Sequence, residues 1–384
     1  MRRQKFAAAV VAALCLALAG PVFGFETYDS VGEVLNAPDD VLPPCRTITS
    51  PPGHHWFGYY DVQEISEDNR YVLGMEVDFE GRTPKPDDVI EIGMVDLEQD
   101  NKWIKLGISR AWCWQQGCRL QWRPGHEDQV LWNDRQGDRF VCHILNVKTG
   151  EKRTLPHPVY HVTPDGKWAL GLDFARLQTM RQGYGYVGLP DENADVNAPK
   201  NSGVYRLNLD TGEKKLILPL SKIAKIRFGK LPAPHKTYFN HIMWNTDGSR
   251  FFVFSRGEDI ITHVYTADLN GDDVRLLAKY ASHYDWRDSR HVMIWGKGAY
   301  RLYTDDGSGE GEIVWKAPNG HNSYLPGDDW VLTDTYPRGK KREQHIYLHH
   351  LPTGKFVPLG QFHLPREYSG EWRCDTHPRL SPDG

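Results

Sequence analysis

Four histidines, His241, His283, His321 and His377, each stand five residues before the same turn position in successive stretches of similar pattern. The turns are Thr246-Asp247-Gly248, the weaker Asp288, Pro326-Gly327-Asp328 and Ser381-Pro382-Asp383-Gly384. Clustered imidazoles bind divalent metals or shuttle protons. Protonating several at once costs charge repulsion, so a purely structural role explains four of them poorly. Asp375 lies two residues before His377, and side chains two apart on a strand share a face. A mixed set of imidazole and carboxylate donors suits Mn²⁺, Fe²⁺ or Zn²⁺ better than Ca²⁺.

The elements that would bring these histidines together are strands. From Tyr59 onward the chain repeats a unit: an opening strand, a turn, an apolar strand, and a closing hairpin such as Asn208-Leu209-Asp210-Thr211-Gly212. Openings near Tyr60, Leu120, Tyr160, His241, His283, His321 and His377 predict an all-β, seven-bladed β-propeller over residues 59–384. The seventh blade is expected to be truncated at Gly384, with some 40 further residues in a full-length product by the length of such repeats. In a propeller the first strand of each blade lines the central channel. The four histidines then form an arc at one height, and the first three blades put Val62, Arg119 and Val159 at that offset. Residues 175–202 and 218–240 are long insertions, the second with a short helix at 221–225; such loops are often lids or partner loops.

The last four stretches resemble the propeller repeats of TolB-type proteins and, more closely, oligogalacturonate lyases and ulvan lyase-like propellers, which cleave acidic glycans by β-elimination. The resemblance rests on Asn240-His241, Ser282-His283-Tyr-Asp-Trp286, Gly320-His321 and His377-Pro378-Arg-Leu-Ser-Pro382, within residues 238–384. It implies His241 as catalytic base, with His321 as a second catalytic candidate. It implies His283 and His377 as ligands of a divalent metal, manganese in that family. Asp375 stands where the family has another histidine ligand, and Trp372 stands near its glutamine. The implied substrate is an acidic, uronate-containing glycan. Arg119, Arg181 and Arg373 are candidates to hold its carboxylates, as is Arg342, and Tyr184 and Tyr186 to stack on its rings. His54, His55 and Tyr60, at the start of the first blade, are further candidates to reach the channel mouth.

Composition narrows the alternatives. The 384 residues are 40% hydrophobic, 12% aromatic and 25% charged, with a net charge of −4. That is a globular composition with no field to hold nucleic acid or an anionic membrane. No Gly-rich phosphate loop, Gly-x-Ser-x-Gly elbow or His-Glu-x-x-His helix is present, which disfavours a serine hydrolase or a zincin. Arg2, Arg3 and Lys5 precede an apolar run over 6–19 and small residues at 22–24. Residues 1–24 therefore read as a signal peptide, residues 25–58 as an irregular segment, and the product as exported, periplasmic or extracellular. Five cysteines follow the signal peptide, an odd number, so at least one is expected to be unpaired. Two other functions fit a propeller: a non-catalytic TolB-like module that binds a glycan or a periplasmic protein, and a glycoside hydrolase. The latter needs two facing carboxylates, for which Asp61, Asp285 and Asp375 are available.

Overall fold

The structure, a computed structural model, describes residues 25–259 and 261–384; the predicted signal peptide at 1–24 lies outside the described residues. Six four-stranded antiparallel sheets follow one another along the chain, over residues 54–109, 121–155, 161–219, 237–279, 281–316 and 322–363. Within each sheet the strands pair in sequence order, the up-and-down arrangement of a propeller blade. The six sheets overturn the expectation of seven blades. The stretch from His377 carries the turn residues of an opening blade, but no described strand lies beside it. Residues 373–384 are therefore coil and turn. Part of this coil runs against the sixth sheet, with Leu380 packed on the cluster of Leu332, Ile346, Val357 and Leu359.

Blade turns and hairpins form for the reasons their residues suggest. In Thr163–Gly166 the Asp165 carboxylate accepts the Lys167 amide at 3.1 Å and the Thr163 hydroxyl at 2.7 Å. Gly166 then takes φ +68°, with the carbonyl of Pro124 only 2.0 Å from where a Cβ would sit. In the closing hairpin, Asn208 Oδ1 accepts the amides of Asp210 and Thr211 at 2.9 and 3.0 Å. Strand Arg250–Gly257 shows why the apolar runs are continuous. Phe251 and Val253 face one core cluster, and Phe252 and Phe254 face the next, so both faces are buried between neighbouring blades.

Two departures from regularity shape the centre. Strand His54–Trp56 pairs with residues 75–77; pairing resumes where the Leu73 amide reaches the Glu64 carbonyl at 2.8 Å and Ile65 bridges Val72. Residues 57–63 leave the ladder between these points and carry Tyr59, Tyr60 and Asp61 inward. Separately, residues 365–379 form a limb that continues from the sixth blade across the first. The Gln115 side-chain amide donates to the Glu371 and Arg373 carbonyls at 2.9 and 3.0 Å, and Tyr368 bonds Glu80. The N-terminal segment ties the other side: Tyr28 and Phe356 exchange two backbone hydrogen bonds of 2.9 Å, covering the fourth strand of the sixth sheet. Helix Phe174–Met180 leads into insertion 175–202, and insertion 218–240 contains helix Leu220–Phe228.

Candidate metal centre and active site

All four histidines of the predicted arc are buried. The ring centroids of His283 and His321 are 4.0 Å apart, and those of His321 and His377 4.5 Å. Tyr59 fills the space between His241 and His377, with 4.8 Å to each ring; it stacks on the first and meets the second edge-on. His241 reaches this position through a backbone at φ +53° and a register shift between Asn240 and Ile242. His377 and Arg119 share the left-handed region at φ +41° and +58°. For side chains with a Cβ this is a strained state of order 1–3 kcal/mol, held only where surroundings over-determine it.

Donor atoms converge at one triplet. His321, Asp375 and His377 each offer one atom, and these three lie within 4.8 Å of one another. The surroundings fit a cation. Nδ1 of His321 lies 2.9 Å from a carboxylate oxygen of Asp334, so Nδ1–H donates there and Nε2 keeps a free lone pair. This is the arrangement in which a carboxylate orients a metal-binding imidazole. Nε2 of His377 is buried with no hydrogen-bond partner. Burial first, then the neighbouring His321 and Arg379, hold His377 well below the usual imidazole pKa, which keeps it neutral and available. Asp375 receives Arg373 at 2.5 and 2.6 Å and has lone pairs to spare beyond these. Asp334 also accepts the hydroxyl of Thr376 and so joins the blade bearing His321 to the limb bearing the other two donors.

The triplet takes His321, one of the two residues predicted to move protons, in place of the predicted ligand His283. Nδ1 of His283 faces Asn319 Oδ1 at 2.9 Å, and its Nε2 faces the Tyr336 hydroxyl at 3.3 Å. Both ring nitrogens are thus engaged. His241 stands apart from the triplet across Tyr59. Its Nδ1 lies 3.2 Å from the Tyr160 hydroxyl and 3.5 Å from the Gln116 amide nitrogen. In the tautomer that donates Nδ1–H to the Tyr160 oxygen, Nε2 presents a lone pair. Burial first, then the charges of Arg256 and Arg181, push His241 well below the ordinary imidazole value.

The cationic and aromatic candidates separate into two groups. Arg119 is fully buried and paired with Asp61 at 2.7 Å, donates to the Tyr160 carbonyl at 2.8 Å, and lies over the Tyr160 ring. Tyr186 is also fully buried, stacked on Phe174 at 4.1 Å and bonded to Asn133. Both are interior supports with no face left for a sugar. Arg181 lies over the ring of Tyr184, 4.2 Å from its centroid, and Tyr184 meets His241 edge-on at 5.9 Å. Arg373 lies over Tyr336 beside Asp375. His54 and His55 pair instead with Glu80 and Glu76 in the first blade, whereas Tyr60 does reach the centre, 5.0 Å from the His321 ring.

One cation was not singled out by the sequence. Arg256 lies in the second strand of the fourth sheet, where burial first and then the charge of Arg181 depress its pKa. Among the described residues neither Arg181 nor Arg256 has an ion-pair partner, and the Nε of each is buried without a hydrogen bond. Guanidiniums without a carboxylate partner are groups that an anionic ligand can satisfy with charge-assisted hydrogen bonds. The three carboxylates considered for glycoside hydrolysis are committed separately: Asp61 to Arg119, Asp285 to the Tyr324 amide at 2.7 Å, and Asp375 to Arg373.

No protein-family model matches the chain, and no curated protein matches it. Solved structures do. The chain is a β-propeller. An oligogalacturonate lyase from Vibrio parahaemolyticus aligns over 94% of this chain and 91% of its own, with a TM-score of 0.62 and 13% identity. A protein from Agrobacterium tumefaciens assigned as TolB aligns over 83% and 85%, with a TM-score of 0.40 and 12% identity. A Bacteroides uniformis protein assigned as a 6-phosphogluconolactonase aligns over 78% and 84%, with a TM-score of 0.44 and 11% identity. At such identities the likeness establishes the fold and not the chemistry. Among the described residues no helix is long and apolar enough to cross a membrane.

Proposed function

We propose that the protein is an exported, metal-dependent lyase that cleaves uronate-containing oligo- or polysaccharides by β-elimination. The observation that carries this reading is the His321, Asp375 and His377 donor set, with the neutral His241 across Tyr59 from it and Arg181 and Arg256 close enough to His241 to depress its pKa. The oligogalacturonate lyase neighbour supports the choice among propeller chemistries.

A uronate α-proton is weakly acidic while the adjacent carboxylate keeps its full charge. Bound at this donor set, a divalent cation supplies Lewis-acid neutralisation of that charge; Mn²⁺, Fe²⁺ and Zn²⁺ suit two imidazoles and a carboxylate. Arg181 and Arg256 would hold the substrate's carboxylate groups by charge-assisted hydrogen bonds. His241, neutral near pH 7, takes the α-proton on Nε2. The electron pair of the broken C–H bond forms the ring double bond, and the glycosidic C–O bond breaks. The proton now on His241 can return to the leaving oxygen. Tyr184 offers a ring face for the sugar beside this histidine.

The test is absorbance of an unsaturated uronate product when purified protein, supplied with Mn²⁺, meets pectin, ulvan and glucuronan fragments. Product from at least one acidic glycan is expected. No product from any of them, together with no metal bound on analysis, would overturn the reading in favour of a non-catalytic binding propeller.

A further inference from the structure

Glu64 lies outside the donor set, yet two of its neighbours lead directly into it. The residue closes the excursion at 57–63. Its Oε1 accepts the Gly58 amide at 2.8 Å, and its Oε2 lies 2.5 Å from Nη1 of Arg379. Arg379 completes the triangle by donating Nη2–H to the Gly58 carbonyl at 2.9 Å. Gly58 precedes Tyr59, the ring wedged between His241 and His377. Arg379 follows His377 by two residues. One carboxylate, 1% exposed, therefore fixes the root of the aromatic wedge and the root of a metal donor at once.

Stability alone explains this pair poorly. Replacing a buried ion pair by apolar groups of similar volume is often neutral or stabilising. Burial pushes the Glu64 carboxyl up to about 7, against the pull of Arg379 and the Gly58 amide, so burying this group is costly. What the pair does provide is a fixed separation between two segments more than 300 residues apart in sequence. The limb has other anchors, through Gln115 and Thr376, but these bind residues before His377. On the far side Arg379 is the polar tie, next to the apolar packing of Leu380 on the sixth sheet.

We propose that Glu64, acting through Arg379 and Gly58, is a positioning residue that sets the His377 donor and the Tyr59 wedge in register with His321 and His241. This rests on the metal-dependent reading above, and the experiment separates the two.

The full chain is compared with Glu64→Gln and with the double variant Glu64→Leu, Arg379→Met. Co²⁺ is titrated and followed by its visible absorption, and the His377 imidazole nitrogens are followed by NMR without metal. Both variants are expected to bind Co²⁺ about tenfold or more weakly, as for loss of groups that orient a ligand. The His377 signals should move while those of His283 stay. The double variant should melt near the wild-type temperature, which separates positioning from folding. Wild-type Co²⁺ affinity and spectrum in both variants would overturn the proposal. If the wild type itself binds no Co²⁺, the metal reading fails; unmoved His377 signals would then overturn the positioning role, and displaced ones would sustain it.

Discussion

The carboxylate of Asp334 lies 2.9 Å from Nδ1 of His321, and this contact decides which ring nitrogen is left as a donor. It also explains why His321, and not His283, joins Asp375 and His377. With Asp334→Asn the amide can still accept Nδ1–H through its oxygen, but the charge that strengthens this hydrogen bond and holds the ring is lost. The expected outcome is a 10- to 100-fold weaker affinity for Mn²⁺ or Co²⁺, read by titration, with the blades still folded by circular dichroism.

His241 is expected to be the base and to lie outside the metal set. His241→Ala should abolish formation of unsaturated product while leaving Co²⁺ affinity within about twofold of wild type, a margin below 0.5 kcal/mol. The pH dependence follows from its environment. Burial beside Arg256 and Arg181 lowers its pKa, so the neutral, active form persists as pH falls through the ordinary value of about 6.5. Activity is present above the depressed value and lost only as pH falls through it. The acid limb of kcat/KM should therefore lie below pH 6.5, and Arg256→Met, which removes the largest cationic contribution, should move that limb upward.

The arc of histidines was legible because each stands at one offset from a turn whose residues have strong local preferences. The closing hairpin at Asn208–Gly212 and the apolar strands of the repeated unit are legible for the same local reason. The division of labour within the arc was not. Whether a histidine binds metal depends on what claims its other nitrogen: Asp334 reaches His321 from the neighbouring strand of the same sheet, and Asn319 and Tyr336 reach His283 from beyond its own sheet. Arg119 sits at the same offset as the histidines, yet Asp61 arrives from the excursion at 57–63 and neutralises it. No periodicity marks that excursion, because it is an interruption of a strand. The expectation of a seventh blade fails because a turn signal at Ser381–Gly384 says nothing about whether a partner strand lies beside it. Arg256 reads as the polar end of an apolar strand; only its proximity to Arg181 gives it meaning.

The Arg181 and Arg256 pair should govern affinity for acidic substrates. Removing one hydrogen-bonding charge of this kind costs about 1.5–3 kcal/mol, which corresponds to roughly a 10- to 150-fold change in binding. Arg181→Met is expected to raise KM by that order on a uronate oligomer with a smaller change in kcat. The corresponding measurement is steady-state kinetics at two salt concentrations. An unchanged KM would remove this arginine from the substrate site.

Arg119 was a candidate to touch substrate and is instead an interior support, which gives it a different signature. Its guanidinium is fully buried against Asp61, whose other carboxylate oxygen accepts the Tyr284 hydroxyl at 3.2 Å. Arg119→Met leaves Asp61 charged and unpaired in the interior, at a cost of about 3–5 kcal/mol. The double change with Asp61→Asn removes both charges and should recover a large part of that loss, because no uncompensated ion remains. Chemical denaturation of the single and double variants measures both quantities. A single variant as stable as the wild type but with weakened substrate binding would return Arg119 to the substrate site.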